Sequence, residues 1–185
     1  MKRKIQVFIQ PDAKVRGETR LILKNFAKKY NAYKAYNDWK GPHITVFTME
    51  ADREKLDRIV AELKRIIKRL KPFKVHINST GYFMKSNSSG RRNYVLYLKV
   101  KNTRELNKLW SILNKNFRKY RTSFPTYVPH LTITSEDLDK KAFYAALKKY
   151  KNFKFSRDFK VKAVKVSAQG KYLKKSSSYN VKLHL

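Results

Sequence analysis

Two histidines stand in nearly the same short stretch of sequence. His43 lies in GPHITVF (residues 41–47) and His130 in VPHLTIT (residues 128–134), and each has a proline before it and a threonine two positions after it. Two imidazoles can exchange protons near neutral pH, and threonine hydroxyls can donate hydrogen bonds to phosphate oxygens. The pattern indicates phosphoryl transfer in which one neutral imidazole takes a proton from a nucleophilic hydroxyl and the other, protonated, donates to the leaving oxygen.

The repetition exceeds what composition predicts. Random placement of the histidines and threonines gives roughly 0.2 His-x-Thr triplets, whereas two occur, both with the same flanking residue types. On a strand, residues two apart share a face, so Thr45 would lie beside His43. Thr132 would lie beside His130 in the same way, and we expect the histidines to be catalytic and these threonines to bind phosphate. The apolar residue inside each triplet is expected to point into the core.

The other histidines and the remaining motifs do not extend this site. His76 and His184 lack both the preceding proline and the threonine, and we interpret them as structural residues. Cysteine is absent, and two distant histidines supply fewer than the three or four protein ligands of a zinc site. Neither a phosphate loop nor a G-x-G-x-x-G segment occurs. We therefore expect a site that needs no metal and no cofactor.

Hydrophobic spacing indicates the elements that must position these side chains. Apolar residues three and four apart predict helices, whereas alternation or β-branched and aromatic content predicts strands. The predicted helices span residues 17–30, 54–71, 103–120 and 138–150, the third with Thr103 as N-cap. The predicted strands span residues 4–9, 43–48, 73–79, 93–100, 130–134, 159–167 and 179–185.

The order of these elements repeats. A strand, a helix, a Pro-His strand, a helix and a strand opening with FKV occur in residues 4–79 and again in residues 94–166, with Phe73 matched to Phe159. Such self-similarity predicts one α+β domain over residues 1–185, built as two similar lobes related by a pseudo-two-fold axis. The two Pro-His strands would then meet in a cleft between the lobes.

The charge balance predicts a polyanionic partner. Lys and Arg number 45 against 13 Asp and Glu, a formal net charge of +32, which attracts RNA, DNA or an anionic membrane surface. A generally lysine-rich composition with solvated faces is the alternative explanation. No apolar stretch reaches the roughly 20 residues that span a bilayer, and the absence of cysteine fits a reducing interior. We expect a cytoplasmic protein that is not embedded in a membrane.

The stretches PHITV and PHLTI resemble the paired motif of the two-histidine (2H) phosphoesterase superfamily, in particular its LigT-like branch of RNA 2′,3′-cyclic phosphodiesterases and 2′-5′ RNA ligases. The element order is similar to that superfamily's bilobed α+β fold, in which each lobe has a mainly antiparallel sheet and two helices and the motifs line a central cleft. The resemblance implies that the two histidines are the acid–base pair and that the two threonines hold the phosphate. It also implies RNA with a 2′,3′-cyclic phosphate or a 2′-5′ linkage as the partner.

Further substrate-binding residues are expected in two loops. Relatives often carry a basic residue in the loop before the strand at residues 93–100, a place that Arg91 or Arg92 takes here. We interpret this polar, Gly/Ser-rich segment, residues 84–93, as a loop between strands, and residues 169–178 resemble it. The candidates in the second loop are Lys171 and Tyr172.

The expected function is metal-independent hydrolysis of RNA 2′,3′-cyclic phosphate ends by a monomeric enzyme. Two alternatives stay open: an ATP-independent 2′-5′ RNA ligase that uses the same site, and a non-catalytic module that binds RNA ends. The pattern does not assign acid and base, and we favour His130 as the general base.

Tyr127, just before the second motif, is expected to stack on a nucleobase at the cleft mouth, with ordinary packing as the alternative.

Overall fold

The structure is a computed structural model that describes residues 2–86, 92–122, 126–135, 137–169 and 177–183. Eight strands and four α-helices occur in these ranges. In chain order they are β1 (Lys2–Ile9), α1 (Ala13–Tyr30), β2 (Ile44–Asp52), α2 (Leu56–Lys68), β3 (Phe73–Ser86), β4 (Arg92–Val100), α3 (Arg104–Phe117), β5 (His130–Thr132), α4 (Lys140–Tyr150), β6 (Arg157–Val161), β7 (Ala163–Gln169) and β8 (Ser177–Lys182).

The helices follow the predicted apolar spacing, and local capping sets where they begin. The predicted N-cap Thr103 is confirmed, since its hydroxyl oxygen accepts a hydrogen bond from the Leu106 backbone N–H at 3.2 Å. Helix α1 begins at Ala13 rather than at residue 17, because Asp12 caps it by accepting from the Val15 N–H at 3.0 Å. Helix α2 buries one apolar face, formed by Ile59, Val60, Leu63, Ile66 and Ile67.

The strands form a sheet in the order β6-β3-β4-β5-β2-β1-β7-β8, with every pairing antiparallel. The middle of this order is the β5–β2 pairing, made through Leu131 and Ile44. Helices α1 and α4 pack on the β6-β3-β4-β5 half, and α2 and α3 pack on the β2-β1-β7-β8 half. The predicted α+β fold with an antiparallel sheet and four helices is confirmed.

Each half of the sheet contains a strand from the other half of the chain. Strand β3 follows α2 in sequence but pairs with β4, and β7 pairs with β1. The two FKV segments, which the sequence matched as equivalent, instead pair with each other, because Phe73 lies opposite Val161 and Val75 opposite Phe159. The matching of Phe73 to Phe159 was therefore wrong: the position equivalent to β3 in the other half-sheet belongs to β7.

Two predicted boundaries also change. The predicted strand at residues 159–167 divides at Lys162 into β6 and β7, which lie in opposite halves of the sheet. Within the loop predicted at residues 84–93, β3 continues to Ser86, which pairs with Arg92 at the start of β4, and residues 87–91 lie outside the described residues. In the part of the chain that the structure describes, no helix is long and apolar enough to cross a membrane.

Candidate active site

The centre of the sheet brings the two histidine motifs together. Ile44 and Leu131 are fully buried, as predicted, and form the pair that joins β2 to β5. In each motif the histidine and the threonine on either side of this buried residue are half-buried. An antiparallel register centred on the pair sets His43 opposite Thr132 and Thr45 opposite His130. Each imidazole therefore lies across from the threonine of the other motif.

The ring of His43 is held at one nitrogen by its own loop. Its Nδ1 lies 2.8 Å from the carbonyl oxygen of Gly41. A carbonyl oxygen only accepts, so Nδ1 carries the hydrogen and the lone pair of the neutral ring is on Nε2. The amide nitrogen of Gln6 lies 3.4 Å from that Nε2, and the ring of Phe8 meets the imidazole edge to face at 5.3 Å between centroids.

The ring of His130 is held in the same way by different neighbours. Its Nδ1 lies 2.8 Å from the carbonyl oxygen of Val128, again two residues earlier in the chain. Two aromatic rings flank the imidazole, Phe83 at 5.1 Å and Tyr97 at 5.1 Å between centroids. The two rings also stack on each other at 4.4 Å. The backbone thus fixes the same tautomer in both motifs, while β3 and β4 give His130 an aromatic setting.

Burial lowers the pKa of His43 below its usual value of 6.5. The charges of Lys40 and His130 lower it further, while the hydrogen bond to the Gly41 carbonyl and the charge of Asp38 oppose the change. The net direction favours the neutral imidazole at neutral pH. His43 is therefore suited to accept a proton.

Gln6 is a site residue that the motif did not indicate. Its side-chain amide donates a hydrogen bond to Oγ1 of Thr45 at 2.6 Å. Because that oxygen accepts from Gln6, the hydroxyl hydrogen of Thr45 can be directed to a phosphate oxygen. The only signal in the sequence is that Gln6 is a polar residue at an alternate position of a strand, which does not reveal the strand beside it.

Gly81 and Tyr97 form a second feature that the motif did not indicate. Tyr97 pairs with Thr132 on one side and with Gly81 on the other. A Cβ atom at Gly81 would lie 2.6 Å from two atoms of the Tyr97 ring, so only glycine leaves room for the ring in this position. The ring is buried, which raises the pKa of its hydroxyl, and it contacts the imidazole of His130 at 5.1 Å between centroids.

The remaining predicted binding residues do not join this cluster in the described part of the chain. Tyr127 lies parallel to the ring of Trp110 at 5.9 Å, and its buried hydroxyl has no hydrogen-bond partner among the described residues. It therefore packs on α3. Arg92 opens β4, but its side chain lies outside the described residues, as do Arg91, Lys171 and Tyr172.

His76 and the acidic residues do not provide a metal centre in the described ranges. The Nδ1 atom of His76 lies 2.6 Å from the carboxylate of Asp158 on the neighbouring strand β6, consistent with the structural role predicted for it. Among the residues that the structure describes, no three His, Asp or Glu side chains are grouped so as to hold a metal ion. His184 lies outside the described residues.

A cavity of about 420 Å³ opens beside His43. His43 and Thr132, one residue from each motif, both line it. Most of the other lining residues belong to the segment between α1 and β2. A bilobed antiparallel sheet that places two His-x-Thr motifs on adjacent central strands defines a two-histidine phosphoesterase.

The sequence comparison agrees with this class. Residues 14–172 match the 2′-5′ RNA ligase superfamily, and the chain belongs to that family. A Bacillus cytotoxicus protein named "Putative phosphoesterase" is 36% identical over 96 residues, which cover 51% of this chain and 52% of that protein. A protein of the same description from Bacillus mycoides is 38% identical over 93 residues, 50% of each chain. The chain spans about half the length of the curated relatives it matches.

Solved structures share the fold at low sequence identity. TT0787 of Thermus thermophilus superposes with a TM-score of 0.67 and 14% identity, covering 97% of this chain and 95% of that one. Escherichia coli LigT in its apo form gives 0.62 and 16%, covering 100% and 99%. Usb1 of Kluyveromyces marxianus gives 0.51 and 14%, covering 98% of both chains. These similarities establish the fold.

Proposed function

We propose that this protein hydrolyses 2′,3′-cyclic phosphates at RNA ends by acid–base catalysis between His43 and His130, without a metal ion. One observation carries the proposal: both imidazoles are fixed at Nδ1 by a backbone carbonyl at 2.8 Å, on adjacent strands, so that the reactive nitrogen of each is Nε2. Paired imidazoles at a phosphodiester supply both proton transfers that hydrolysis requires.

His43 takes the role of base. Its pKa is lowered by burial, so it is neutral at pH 7 and accepts a proton from the attacking water. As the water oxygen bonds to phosphorus, the bond from phosphorus to the 2′- or 3′-oxygen breaks. His130, in its protonated form, donates a proton to that oxygen. This assignment reverses the preference for His130 as base that the sequence suggested.

Thr45 and Thr132 take the role of phosphate ligands. Each lies across the central strand pair from the imidazole of the other motif, and Gln6 orients the Thr45 hydroxyl. Hydroxyl donors aimed at non-bridging oxygens stabilise the negative charge that develops during attack. The net charge of +32 favours association with an RNA strand.

Structures of the same fold with nucleotide ligands support the substrate class. Escherichia coli LigT was crystallised in complex with ATP and Kluyveromyces marxianus Usb1 with uridine monophosphate, with TM-scores to this chain of 0.56 and 0.51. A nucleotide substrate for this chain is thus consistent with its fold. The superfamily description names 2′-5′ RNA ligation, which is the same displacement with a 5′-hydroxyl in place of water.

The test is turnover of an oligonucleotide that ends in a 2′,3′-cyclic phosphate, in the presence of a chelator. His43→Ala and His130→Ala should each lower the rate by roughly 10²–10⁴-fold, the usual contribution of a general acid or base. His76→Ala is the matched control, because His76 lies on a different strand and pairs with Asp158, and it should keep the wild-type rate. Wild-type activity in either motif variant, or strict dependence on an added metal, would refute the proposal.

Adding a 5′-hydroxyl acceptor strand to the same assay separates hydrolysis from ligation. A 2′-5′ linked product that also requires His43 and His130 identifies the ligase alternative. Binding of the oligonucleotide without any turnover identifies a module that only holds RNA ends.

A further inference from the structure

The cavity beside His43 has a wall built by residues 31–43, which connect α1 to β2. Most of its lining residues belong to this segment, and Leu23, Thr132 and Ser135 complete the lining. Its volume of about 420 Å³ lies at the lower end of small-molecule sites, which span roughly 300–1,000 Å³. This size suits a single nucleoside better than a run of several nucleotides.

Hydrogen bonds fix the shape of this wall before any ligand binds. The side chain of Asp38 accepts from the Lys40 backbone N–H at 3.0 Å, and its carbonyl accepts from the Gly41 N–H at 2.8 Å. Gly41 has a φ of +62°, a backbone conformation that favours glycine. The side-chain amide of Gln10 in turn donates to the carbonyl of Lys40. The segment between α1 and β2 is therefore held as a turn and not left as an open loop.

A second anchor ties the wall to the other histidine motif. The backbone N–H of Lys34 donates to the carboxylate of Asp137 at 2.6 Å, and Asp137 follows the strand that carries His130 and Thr132. Ser135 from the same connection lines the cavity. The cavity is thus bounded by both lobes, and its walls cannot separate without breaking this contact.

Trp39 is an exposed aromatic ring in this fixed wall. Its side chain is 50% exposed, although a large ring is usually buried. The ammonium group of Lys40 lies 5.2 Å from its ring centroid, and Lys40 is itself paired with Asp38 at 2.9 Å and has only 9% of its side chain exposed. The ammonium group of Lys40, held by its ion pair with Asp38, thus supports the position of the Trp39 ring. The exposed part of the ring is available for stacking.

The cavity also reaches the reacting groups. His43 and Thr132 both line it, so a phosphate held across the two motifs leaves its own nucleoside next to the rest of the cavity. Bases stack on exposed aromatic side chains, and this contact accepts any base because every base has a π-face. The amide of Asn37 and the hydroxyl of Ser135 add donors and acceptors along the wall.

We propose that this cavity binds the nucleoside that carries the cyclic phosphate, with Trp39 as the surface on which its base stacks. The inference rests on the proposed function, because it takes the phosphate to lie between the two motifs. It assigns the stacking role to Trp39, in the segment between α1 and β2, in place of Tyr127, the residue that the sequence had suggested.

The chain offers a direct probe, since Trp39 and Trp110 are its 2 tryptophans. Trp110 packs on Tyr127, so a ligand in the cavity should quench only the fluorescence of Trp39. His130→Ala blocks turnover and allows titration with nucleoside 2′,3′-cyclic monophosphates. Adding Trp39→Phe should abolish the quenching while binding, followed by equilibrium dialysis, stays close to that of His130→Ala because phenylalanine also stacks.

Removing the ring tests the energetic role of Trp39. Trp39→Ala should raise KM for a cyclic nucleotide by roughly 5- to 150-fold, as expected for loss of one base–aromatic stack, with little change in kcat. Tyr144→Ala is the matched aromatic control, because Tyr144 is another exposed ring, lies in α4 and does not line this cavity, so its removal should leave KM unchanged. An unchanged KM in Trp39→Ala, or quenching that persists in Trp39→Phe, overturns the subsite.

These outcomes separate the subsite from the reaction. Quenching of Trp39 by a cyclic nucleotide, in a protein that does not turn over the cyclic-phosphate oligonucleotide, supports the subsite and overturns the proposed function. Turnover with the same KM in Trp39→Ala supports the function and overturns the subsite. The absence of both binding and turnover overturns the subsite and the proposed function together.

Discussion

The two halves of the site share a backbone frame but differ in what surrounds each imidazole. Both histidines hold Nδ1 against a carbonyl two residues earlier, at the same distance of 2.8 Å. The Nε2 atom of His43 lies near the side-chain amide of Gln6, and His43 lines a cavity. His130 instead lies against two aromatic rings. The repeated motif therefore explains how the two imidazoles come together, and the neighbouring strands explain why their surroundings differ.

The register shows where this difference arises. On one side, Thr45 lies opposite Phe8, which in turn pairs with Lys165 of β7. On the other side, Thr132 lies opposite Tyr97, which pairs with Gly81 of β3. One half of the sheet thus has a long cationic side chain at the position where the other half has a glycine. Pseudo-symmetric backbones can give an acid and a base because such equivalent positions carry different residues.

The largest effect on this difference between the halves is expected from filling the space at Gly81. Gly81→Ala places a methyl group 2.6 Å from the Tyr97 ring and should displace the ring from His130. The expected fall in kcat is roughly 10- to 100-fold, the cost of misplacing a catalytic group by about 1 Å. Steady-state kinetics on the cyclic-phosphate oligonucleotide measure this change.

Gly17→Ala is the matched control for that substitution. Gly17 lies in α1, and a methyl group placed there would have nothing within 4 Å, so alanine should leave kcat unchanged and stabilise the helix. Wild-type kcat in Gly81→Ala would show that the Tyr97 contact does not position His130.

A smaller effect, confined to the His43 side, is expected in the pH profile. A base must be neutral, so kcat/KM falls as pH decreases through the pKa of His43, which burial and the charge of Lys40 hold below 6.5. Lys40→Met removes that charge, raises the pKa of His43 and should move the acidic limb of the profile to higher pH.

Lys34→Met provides the comparison for Lys40. Lys34 lines the same cavity but is not among the groups that shift the pKa of His43, so the acidic limb should stay in place. An equal displacement in both variants would indicate a general loss of positive charge and not a specific effect on His43.

The smallest effect on activity is expected at Tyr127, outside both halves of the site. Tyr127→Phe removes a buried hydroxyl that has no partner among the described residues and should raise the free energy of unfolding by about 1 kcal/mol. Thermal and denaturant unfolding measure the gain, and kcat and KM should match wild type. A raised KM would restore Tyr127 as a substrate contact.

The sequence predicted the features that depend on local periodicity. Alternation placed Ile44 in the core and His43 beside Thr45, and apolar spacing located α2 and α3. It missed features that depend on which strands become neighbours. The exchange of β3 and β7, the contact of Gln6 with Thr45 and the fit of Tyr97 over Gly81 arise from long-range pairing, which no local pattern encodes.

The assignment of His43 as base and His130 as acid is tested most directly with cyclic phosphates in which sulfur replaces the bridging 2′- or 3′-oxygen. A thiolate leaves without a proton because thiols have a pKa of about 8.5, so the general acid is dispensable for the isomer whose bond to sulfur breaks. On that isomer His130→Ala should recover most of the wild-type rate, whereas His43→Ala should stay inactive. Recovery of His43→Ala instead, or of neither variant on either isomer, would contradict the account.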